Sequence, residues 1–248
     1  MLGLPGEVTA CLFDMDGVVT KTAVVHAAAW REMFDEFLTE HAAATGTPFV
    51  PFDPVADYDA YVDGKPRLDG TRSFLHARGI DLPAGTPGDP PGTPTIWGLS
   101  NRKNDLVLAK LAQGGVEAYP GSVRYIRSAK NDFGIKTAIV SSSANTKQVL
   151  DGAGIGDLFD VRIDGVIATK RGLKGKPAPD TFLAAAAELQ VPPLQAAVFE
   201  DALAGVEAGH AGGFALVVGV DRVGQAVELK AHGADIVVQD LAELLDRP

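Results

Sequence analysis

Two aspartates separated by one residue give the first indication of chemistry in this sequence. Asp14 and Asp16 directly follow the apolar run ACLF at 10–13, which predicts a buried β-strand. They would leave the carboxyl end of that strand, where open α/β sheets bind ligands, and Gly17 permits a sharp turn there. Because neighbouring carboxylates repel each other, this pair favours a divalent cation such as Mg²⁺. One carboxylate could then act as a nucleophile while the other transfers a proton.

Three further polar clusters occupy the predicted ends of strands or helices. Ser141 follows an apolar strand and could donate its hydroxyl to a phosphoryl oxygen, although a serine there can also cap a helix. Lys176 precedes a helix and could neutralise phosphoryl charge, although a lysine there can also be a solvated loop residue. Glu200 and Asp201 follow another strand and could complete a metal site or favour a helix N-terminus. Together with Asp14, these groups are the equipment for phosphoryl transfer.

The order and spacing of these elements resemble the motifs of the haloacid dehalogenase-like phosphotransferases. The resemblance rests on the run DMDGVVT at 14–20, the strand that ends in Ser141, then Lys176, and the run FED at 199–201. It extends over nearly the whole chain. The resemblance therefore implies an enzyme that transfers a phosphoryl group by way of an aspartyl phosphate.

Family resemblance also implies a role for each of these side chains. Asp14 would attack phosphorus, and Asp16 would protonate the leaving oxygen and then deprotonate the next acceptor. The implied Mg²⁺ ligands are the Asp14 carboxylate, the Asp16 main-chain carbonyl and Asp201, with Glu200 nearby, and the implied holders of the phosphoryl oxygens are Ser141 and Lys176.

The pattern after the first strand predicts an interrupted α/β core. Residues 23–44 have helical spacing, and a Pro/Gly-rich stretch at 83–98 predicts an irregular loop. From about residue 120 onward, strands and helices alternate, which predicts a parallel sheet covered by helices. We therefore expect an α/β fold, with a Rossmann-like parallel-sheet core at 1–21 and 118–248 and an inserted helical cap domain at 22–117.

The inserted segment resembles the cap of the β-phosphoglucomutase branch of that family. Thr22, His26 and Trp30 recur every four residues and so share one helix face, and Lys65 and Arg67 could grip a second phosphate or could be exposed surface charges. Further matches are GKPR at 64–67, RKND at 102–105, YPG at 119–121, SSSAN at 141–145 and KPAPD at 176–180. The candidate substrate-binding residues are therefore Thr22, His26, Trp30, Lys65, Arg67, Ser143 and Asn145.

That branch implies a magnesium-dependent sugar-phosphate mutase, which converts β-D-glucose 1-phosphate to glucose 6-phosphate through a bisphosphate intermediate. Two features depart from the branch, namely Lys21 in place of an acidic residue and the long Pro-rich loop. A phosphatase that hydrolyses a small sugar phosphate with the same aspartyl phosphate is the first alternative. A non-catalytic sugar-phosphate-binding protein is the second, and the intact nucleophile argues against it.

Charge and composition limit the partners and the setting of the protein. The formal net charge of −10 argues against a broad surface for nucleic acid or anionic membrane. The single cysteine, Cys11, excludes a disulfide framework. No apolar stretch approaches the length of a membrane span, and the N-terminus lacks the features of a signal peptide, so we expect a cytoplasmic protein. Because no heptad pattern or apolar stripe demands a partner, we expect a monomer.

Overall fold

The computed structural model describes residues 2–245, which form two compact units. Within the described residues, one unit comprises 2–21 and 116–245, and the other is Thr22–Gly115. The first is called the core and the second the cap. None of the helices within the described residues combines the length and the apolar character that a membrane crossing requires.

A single parallel sheet organises the core, and its strands coincide closely with the apolar runs of the sequence. Within the described chain the strands are β1 (Ala10–Phe13), β2 (Lys136–Val140), β3 (Val161–Ile163), β4 (Ala196–Glu200), β5 (Leu216–Val220) and β6 (Ile236–Val238). Their order across the sheet is β3-β2-β1-β4-β5-β6, and every neighbouring pair is parallel. The predicted Rossmann-like α/β fold is confirmed.

Strand order brings the polar residues of separate motifs to one edge of the sheet. β1 lies between β2 and β4, with Phe13 in register with both Ile139 and Phe199. The carboxyl ends of these three strands therefore lie side by side, at the point where the connections switch from one side of β1 to the other. Such a switch point is where open parallel sheets form their ligand crevice.

Helices cover the sheet and also build the cap. Within residues 2–245 they are α1 (Ala23–Thr45), α2 (Arg67–Ala77), α3 (Ile96–Gly114), α4 (Pro120–Asn131), α5 (Thr146–Ala153), α6 (Gly165–Arg171), α7 (Asp180–Glu188), α8 (Leu203–Ala211) and α9 (Ala226–Ala231). In the core, fully buried Phe182 of α7 packs with Leu12, Val140 and Val198 of the sheet. Apart from exposed Lys136 at the start of β2, the residues of these three strands are buried, as a sheet covered on both faces requires.

The cap unit contains α1, α2 and α3 and is held together by aromatic side chains. Phe34 of α1 stacks on Trp30 and Phe52, with ring centroids 5.3 Å apart in each pair, and lies 4.1 Å from Phe74 of α2. α1 ends at Thr45 and is followed by Gly46, whose φ of 70° gives the left-handed turn that commonly closes a helix. Apolar residues with helical spacing in α1 thus form the centre of the cap rather than an exposed stripe.

Two features of the cap differ from the sequence prediction. α2 was not predicted, because its interior glycine and several polar residues weaken the helical pattern. α3 begins at Ile96, inside the stretch that predicted an irregular loop at 83–98. Thr95 caps it by accepting a hydrogen bond from the Gly98 amide at 2.9 Å, and Asp89 accepts from the Thr95 hydroxyl at 2.6 Å. The remaining loop is therefore held by specific hydrogen bonds.

Residues 116–117, predicted to belong to the cap, lie with the core. The Lys21 amide donates to the Glu117 carbonyl at 2.8 Å, and the Lys21 ammonium lies 2.7 Å from the Glu117 carboxylate. Thr20 also forms an isolated antiparallel bridge with Ala118. These contacts extend the core by two residues on the chain that returns from the cap. They also give Lys21, the residue that departs from the family branch, a local counter-charge.

Candidate active site

Asp14 and the pair Glu200 and Asp201 lie at the carboxyl ends of adjacent strands. The Asp14 amide donates to the Phe199 carbonyl at 2.9 Å, so the pairing of β1 with β4 continues one residue beyond the strand. Asp14 and Asp201 are buried at 6% and 7% exposure, and Glu200 is fully buried. Carboxylates from two distant segments of sequence therefore share one site.

Lys176 places a single cation among these carboxylates. Its ammonium donates to Asp14 Oδ1 at 2.5 Å and to the Val140 carbonyl at 3.2 Å, and it forms an ion pair with Glu200. It also lies 5.0 Å from the centre of the Phe182 ring. Lys176 precedes Pro177 through a cis peptide bond. The predicted phosphate-binding lysine is thus in direct contact with the predicted nucleophile.

Electrostatics keep this lysine charged. Burial lowers the pKa of Lys176, but the carboxylates of Asp14 and Glu200 more than offset that effect and raise it above its ordinary value. Burial raises the pKa of Glu200, an effect that Lys176 opposes and Asp14 reinforces. One cation therefore faces more negative charge than it can balance, and such a site has residual affinity for a further positive group.

The chemistry of the donor set fits a hard divalent cation. Asp14, Glu200 and Asp201 each offer a carboxylate oxygen, and the three oxygens lie within 4.8 Å of one another. All-oxygen donors of this kind suit Mg²⁺ rather than a softer metal. Glu200 is at the same time engaged by Lys176 and by the Ala202 amide, which donates to it at 3.2 Å. Its role as a direct ligand stays a prediction, as does that of the Asp16 carbonyl.

Gly17 allows the two acidic loops to approach each other closely. Its φ of 88° lies in the left-handed region, and a Cβ atom built there would come within 1.7 Å of Asp201 Oδ2. The Gly17 amide donates to the Thr20 carbonyl at 2.8 Å, which closes the turn that carries half-buried Asp16. Any larger residue at this position would displace Asp201 from the site.

The serine-rich loop after β2 lies at the same edge of the sheet. The Ser141 amide donates to the Ile163 carbonyl at 3.0 Å, and Ser141 Oγ accepts from the Ser143 amide at 3.1 Å. Ser143 Oγ in turn accepts from the Asn145 amide at 3.1 Å, just before α5. These local turns hold Ser141, which is 2% exposed, beside the end of β1. Substrate contacts by Ser143 and Asn145 stay predictions.

Within the cap, the face of α1 that carries His26 and Trp30 contacts Lys103, which was not among the candidate substrate-binding residues. The Lys103 ammonium of α3 lies 2.8 Å from His26 Nδ1 and 4.6 Å from the centre of the Trp30 ring. Burial lowers the pKa of His26 well below its ordinary value, and the charges of Lys103 and Arg67 lower it further. His26 is therefore neutral near pH 7, and its Nδ1 accepts from Lys103.

Lys103 belongs to the run RKND, which matches the family branch. That match is the sequence feature from which its place in the site could have been predicted. Trp30 is 3% exposed and packs inside the cap, so its direct contact with substrate stays a prediction. Thr22 is the residue immediately before α1 and is buried at 2% exposure. His26 and Lys103, 77 positions apart in sequence, form a polar pair that only the folded cap creates.

The two predicted phosphate-gripping cations of the cap have different surroundings. Lys65 contacts Ser73 Oγ and the Ala60 carbonyl, each at 3.3 Å. Arg67 begins α2, and its Nε is buried without a hydrogen-bond partner among the described residues. Burial lowers the pKa of Arg67, and the Asp105 carboxylate opposes that effect. A half-buried guanidinium with an unused Nε–H is costly unless another group accepts from it.

The chain is similar to a known protein family, to named relatives and to a solved structure. A family model described as haloacid dehalogenase-like hydrolase matches residues 8–213. A protein named beta-phosphoglucomutase from Mycobacterium tuberculosis is 54% identical over 248 residues, which cover 99% of this chain and 94% of that protein. A protein of the same name from Bacillus subtilis is 33% identical over 235 residues, which cover 95% of this chain and 91% of that protein. A crystal structure of beta-phosphoglucomutase from Clostridium difficile has a TM-score of 0.73 and 25% identity, covering 96% and 93%.

Proposed function

This chain belongs to the haloacid dehalogenase-like hydrolase family, and from that premise we propose that it converts β-D-glucose 1-phosphate to glucose 6-phosphate. The observation that carries the proposal is the buried Asp14 carboxylate, held by Lys176 beside Asp201. A nucleophile, a fixed cation and a metal-binding carboxylate are what phosphoryl transfer needs. The name of the M. tuberculosis relative supports the substrate, because the identity extends over nearly the full length of both chains.

We propose Mg²⁺ as the cation that Asp14 and Asp201 would hold. When bound, it would offset the negative charge of the transferring phosphoryl group. Lys176 supplies a second, permanent positive charge against Asp14 and so lowers the repulsion that an incoming phosphate meets. The Ser141 hydroxyl, at the neighbouring strand end, would donate to a phosphoryl oxygen.

Asp14 and Asp16 divide the chemistry of the two half-reactions. Phosphorylated Asp14 would transfer its phosphoryl group to the 6-hydroxyl of the sugar, while Asp16 takes the proton of that hydroxyl. The bisphosphate formed would turn over, and Asp14 would attack its 1-phosphate. Asp16 then returns the proton to the leaving 1-oxygen, which releases glucose 6-phosphate and restores the aspartyl phosphate. Each half-reaction breaks one P–O bond and forms another, so phosphoryl groups and protons balance.

Arg67 is proposed to hold the phosphate that is not being transferred. Its Nε lacks a hydrogen-bond partner among residues 2–245, and its burial leaves the charge poorly solvated. A phosphate could accept two parallel hydrogen bonds from such a guanidinium. A mutase needs this second grip because its intermediate carries two phosphates, whereas a phosphatase for a small monophosphate does not.

Phosphorus NMR of the protein with β-glucose 1-phosphate, Mg²⁺ and a trace of glucose 1,6-bisphosphate tests the proposed reaction directly. We expect the substrate resonance to be replaced by that of glucose 6-phosphate. Release of inorganic phosphate at the same rate would indicate a phosphatase instead. An unchanged spectrum would contradict the mutase and leave a sugar-phosphate-binding protein as the better description.

Removing Arg67 is predicted to impair the mutase reaction selectively. Arg67→Ala should lower mutase turnover roughly 10- to 150-fold, because losing a charge-assisted hydrogen-bonded contact costs about 1.5–3 kcal/mol. Hydrolysis of an aryl phosphate should change little, since that substrate has no second phosphate. Arg72→Ala is the matched control, because Arg72 lies on the same helix, is exposed and pairs only with Asp69 among the described residues. A parallel loss of both activities in Arg67→Ala would instead indicate a structural role in the cap.

Activity is also predicted to depend on the cation and on Asp201. Thorough chelation should abolish turnover and Mg²⁺ should restore it, because the site has more carboxylates than Lys176 can balance. Asp201→Asn should raise the Mg²⁺ concentration for half-maximal activity by about 10-fold or more. Titrating both proteins with Mg²⁺ measures this shift, and exposed Asp132→Asn serves as a control. Turnover that survives chelation would refute the metal assignment.

A further inference from the structure

Arg222, in the loop that follows β5, contacts the turn that follows β1. Its Nε donates to the Gly17 carbonyl at 2.8 Å, and its Nη2 lies 3.4 Å from the Val18 carbonyl. Nη1 donates to the Gln239 carbonyl at 2.6 Å. The guanidinium carbon lies 3.6 Å from the centre of the Tyr119 ring. One side chain therefore joins segments that are more than 200 positions apart in sequence.

The same loop, residues 221–225, also contacts the segment that carries Asp201. Asp221 Oδ1 accepts from the amides of residues 223, 224 and 225 at 3.2, 2.6 and 2.9 Å, so the loop has a defined shape. Gln225 then donates from Nε2 to the Asp201 carbonyl at 3.0 Å. The β5 loop, as residues 221–225 are called below, thus binds main-chain carbonyls in both acidic segments.

Gly17 and Asp201, the two residues bound by the β5 loop, also lie against each other. A Cβ atom at Gly17 would fall 1.7 Å from Asp201 Oδ2, so the backbone at Gly17 forms one wall of the Asp201 carboxylate site. A shift of either segment would change the spacing between Asp201 and Asp14. That spacing decides how well the two carboxylates can share one cation, because Mg²⁺ tolerates little departure from its preferred geometry.

We propose that Arg222 and Gln225 are positioning residues that set the separation of the Asp14 turn from Asp201 and thereby the affinity for the divalent cation. The inference rests on the proposed function only in taking that cation to be Mg²⁺. Arg222 donates to main-chain carbonyls, stacks on the Tyr119 ring and lies 3.7 Å from the Asp240 carboxylate, so its guanidinium is engaged by groups of the core and we assign it no contact with the sugar. Its loss therefore acts on metal affinity and on the chemical step, and the KM for the sugar phosphate at saturating Mg²⁺ stays unchanged.

Magnesium titration of three variants, followed by thermal melting without substrate, tests this inference. Arg222→Met should raise the Mg²⁺ concentration at the midpoint of the thermal stabilisation about 10- to 100-fold. Gln225→Met should raise it in the same direction by a smaller factor, since it removes one contact. Lys136→Met is the control: Lys136 also binds a main-chain carbonyl, that of Leu189 at 2.6 Å, but it lies at the opposite end of the sheet. It should lower the melting temperature without moving the Mg²⁺ midpoint.

The conservative variant Arg222→Lys separates positioning from general stability. Lysine keeps the charge and an ammonium donor group but loses the planar fork of the guanidinium. We therefore expect Arg222→Lys to recover part of the metal affinity even where its melting temperature in chelator resembles that of Arg222→Met. Unchanged Mg²⁺ midpoints in Arg222→Lys and Gln225→Met would overturn the inference even if Arg222→Met failed to fold. A rise in the KM for the sugar phosphate at saturating Mg²⁺ would also overturn it.

Failure of the proposed reaction gives a different result from failure of this inference. A wild-type protein that is stabilised by Mg²⁺ but makes no glucose 6-phosphate contradicts the mutase, and the variant midpoints still decide the role of the β5 loop. A wild-type protein that is not stabilised by Mg²⁺ at any concentration overturns both, because there is then no cation site for Arg222 and Gln225 to position.

Discussion

Replacing Asp14 with asparagine is expected to abolish turnover, with kcat lower by a factor on the order of 10⁴ or more. Asparagine has nearly the same shape as aspartate but cannot form the acyl phosphate that the proposed mechanism requires. The fold should persist, because Lys176 keeps its ion pair with Glu200. Steady-state assays with β-glucose 1-phosphate, together with the mass of the protein after exposure to an aryl phosphate, measure turnover and phosphorylation separately.

Asp16→Asn is the matched comparison, since it makes the same chemical change two residues along the chain. With an aryl phosphate whose leaving group needs no proton, phosphorylation of this variant should survive, while turnover of the sugar phosphate should not. Equal loss with good and poor leaving groups would argue against an acid role for Asp16. Activity above about 1% of wild type in a purified Asp14→Asn protein would contradict the nucleophile assignment.

Replacing Lys176 with methionine is expected to reduce both stability and activity. Methionine fills a similar volume but leaves Asp14 and Glu200 buried without their cation, which costs about 3–5 kcal/mol when one member of a buried pair is removed. For a chain of this length that corresponds to a fall in melting temperature of roughly 6–20 °C. At saturating Mg²⁺, kcat should fall about 10²- to 10³-fold, because a fixed charge against the phosphoryl group is lost.

Lys174→Met controls for the loss of one positive charge from the same loop. Lys174 is exposed, so the melting temperature and the kcat of Lys174→Met should match those of the wild-type protein. Melting is best followed in chelator, where no added cation can compensate for the missing ammonium. If Lys176→Met melts with wild type under those conditions and retains its kcat, the buried ion pair contributes neither to the fold nor to the reaction.

The positions of the strands along the chain and the polar residues that follow them could be predicted from the sequence, whereas their order across the sheet was not. Apolar runs at 10–13, 137–140 and 196–199 each became a strand of the sheet, because a run with no polar face can only be buried on both sides. Each run is followed directly by a polar residue of the site, namely Asp14, Ser141 or Glu200. The apolar pattern and the family motifs therefore indicate the same strand ends. Helices α2, α6 and α9 were missed, since they are short or carry weak helical patterns and depend on tertiary contacts.

Which residue types are available for chemistry was decided by the sequence: two aspartates, a serine, a lysine and an acidic pair in family order. Only the tertiary structure decided their electrostatics. Lys176 and Asp14 are 162 positions apart, and their contact, their burial and the raised pKa of Lys176 exist only once the sheet has formed. The same is true of neutral His26 beside Lys103, because a pKa depends on solvent and charges contributed by distant segments.

The contacts of Arg222 with the Gly17 and Val18 carbonyls are the clearest example of a feature that no local sequence pattern predicts. An arginine after a strand is common and indicates no particular contact. Every residue has a main-chain carbonyl, so no sequence motif can show which carbonyls the arginine binds. Short-range patterns specify elements because they reflect the helical and strand periods, whereas the spacing of the loops at the end of a sheet depends on how every strand is placed. The geometry of this site is therefore a property of the assembled sheet, and the identity of its reactive groups is a property of the sequence.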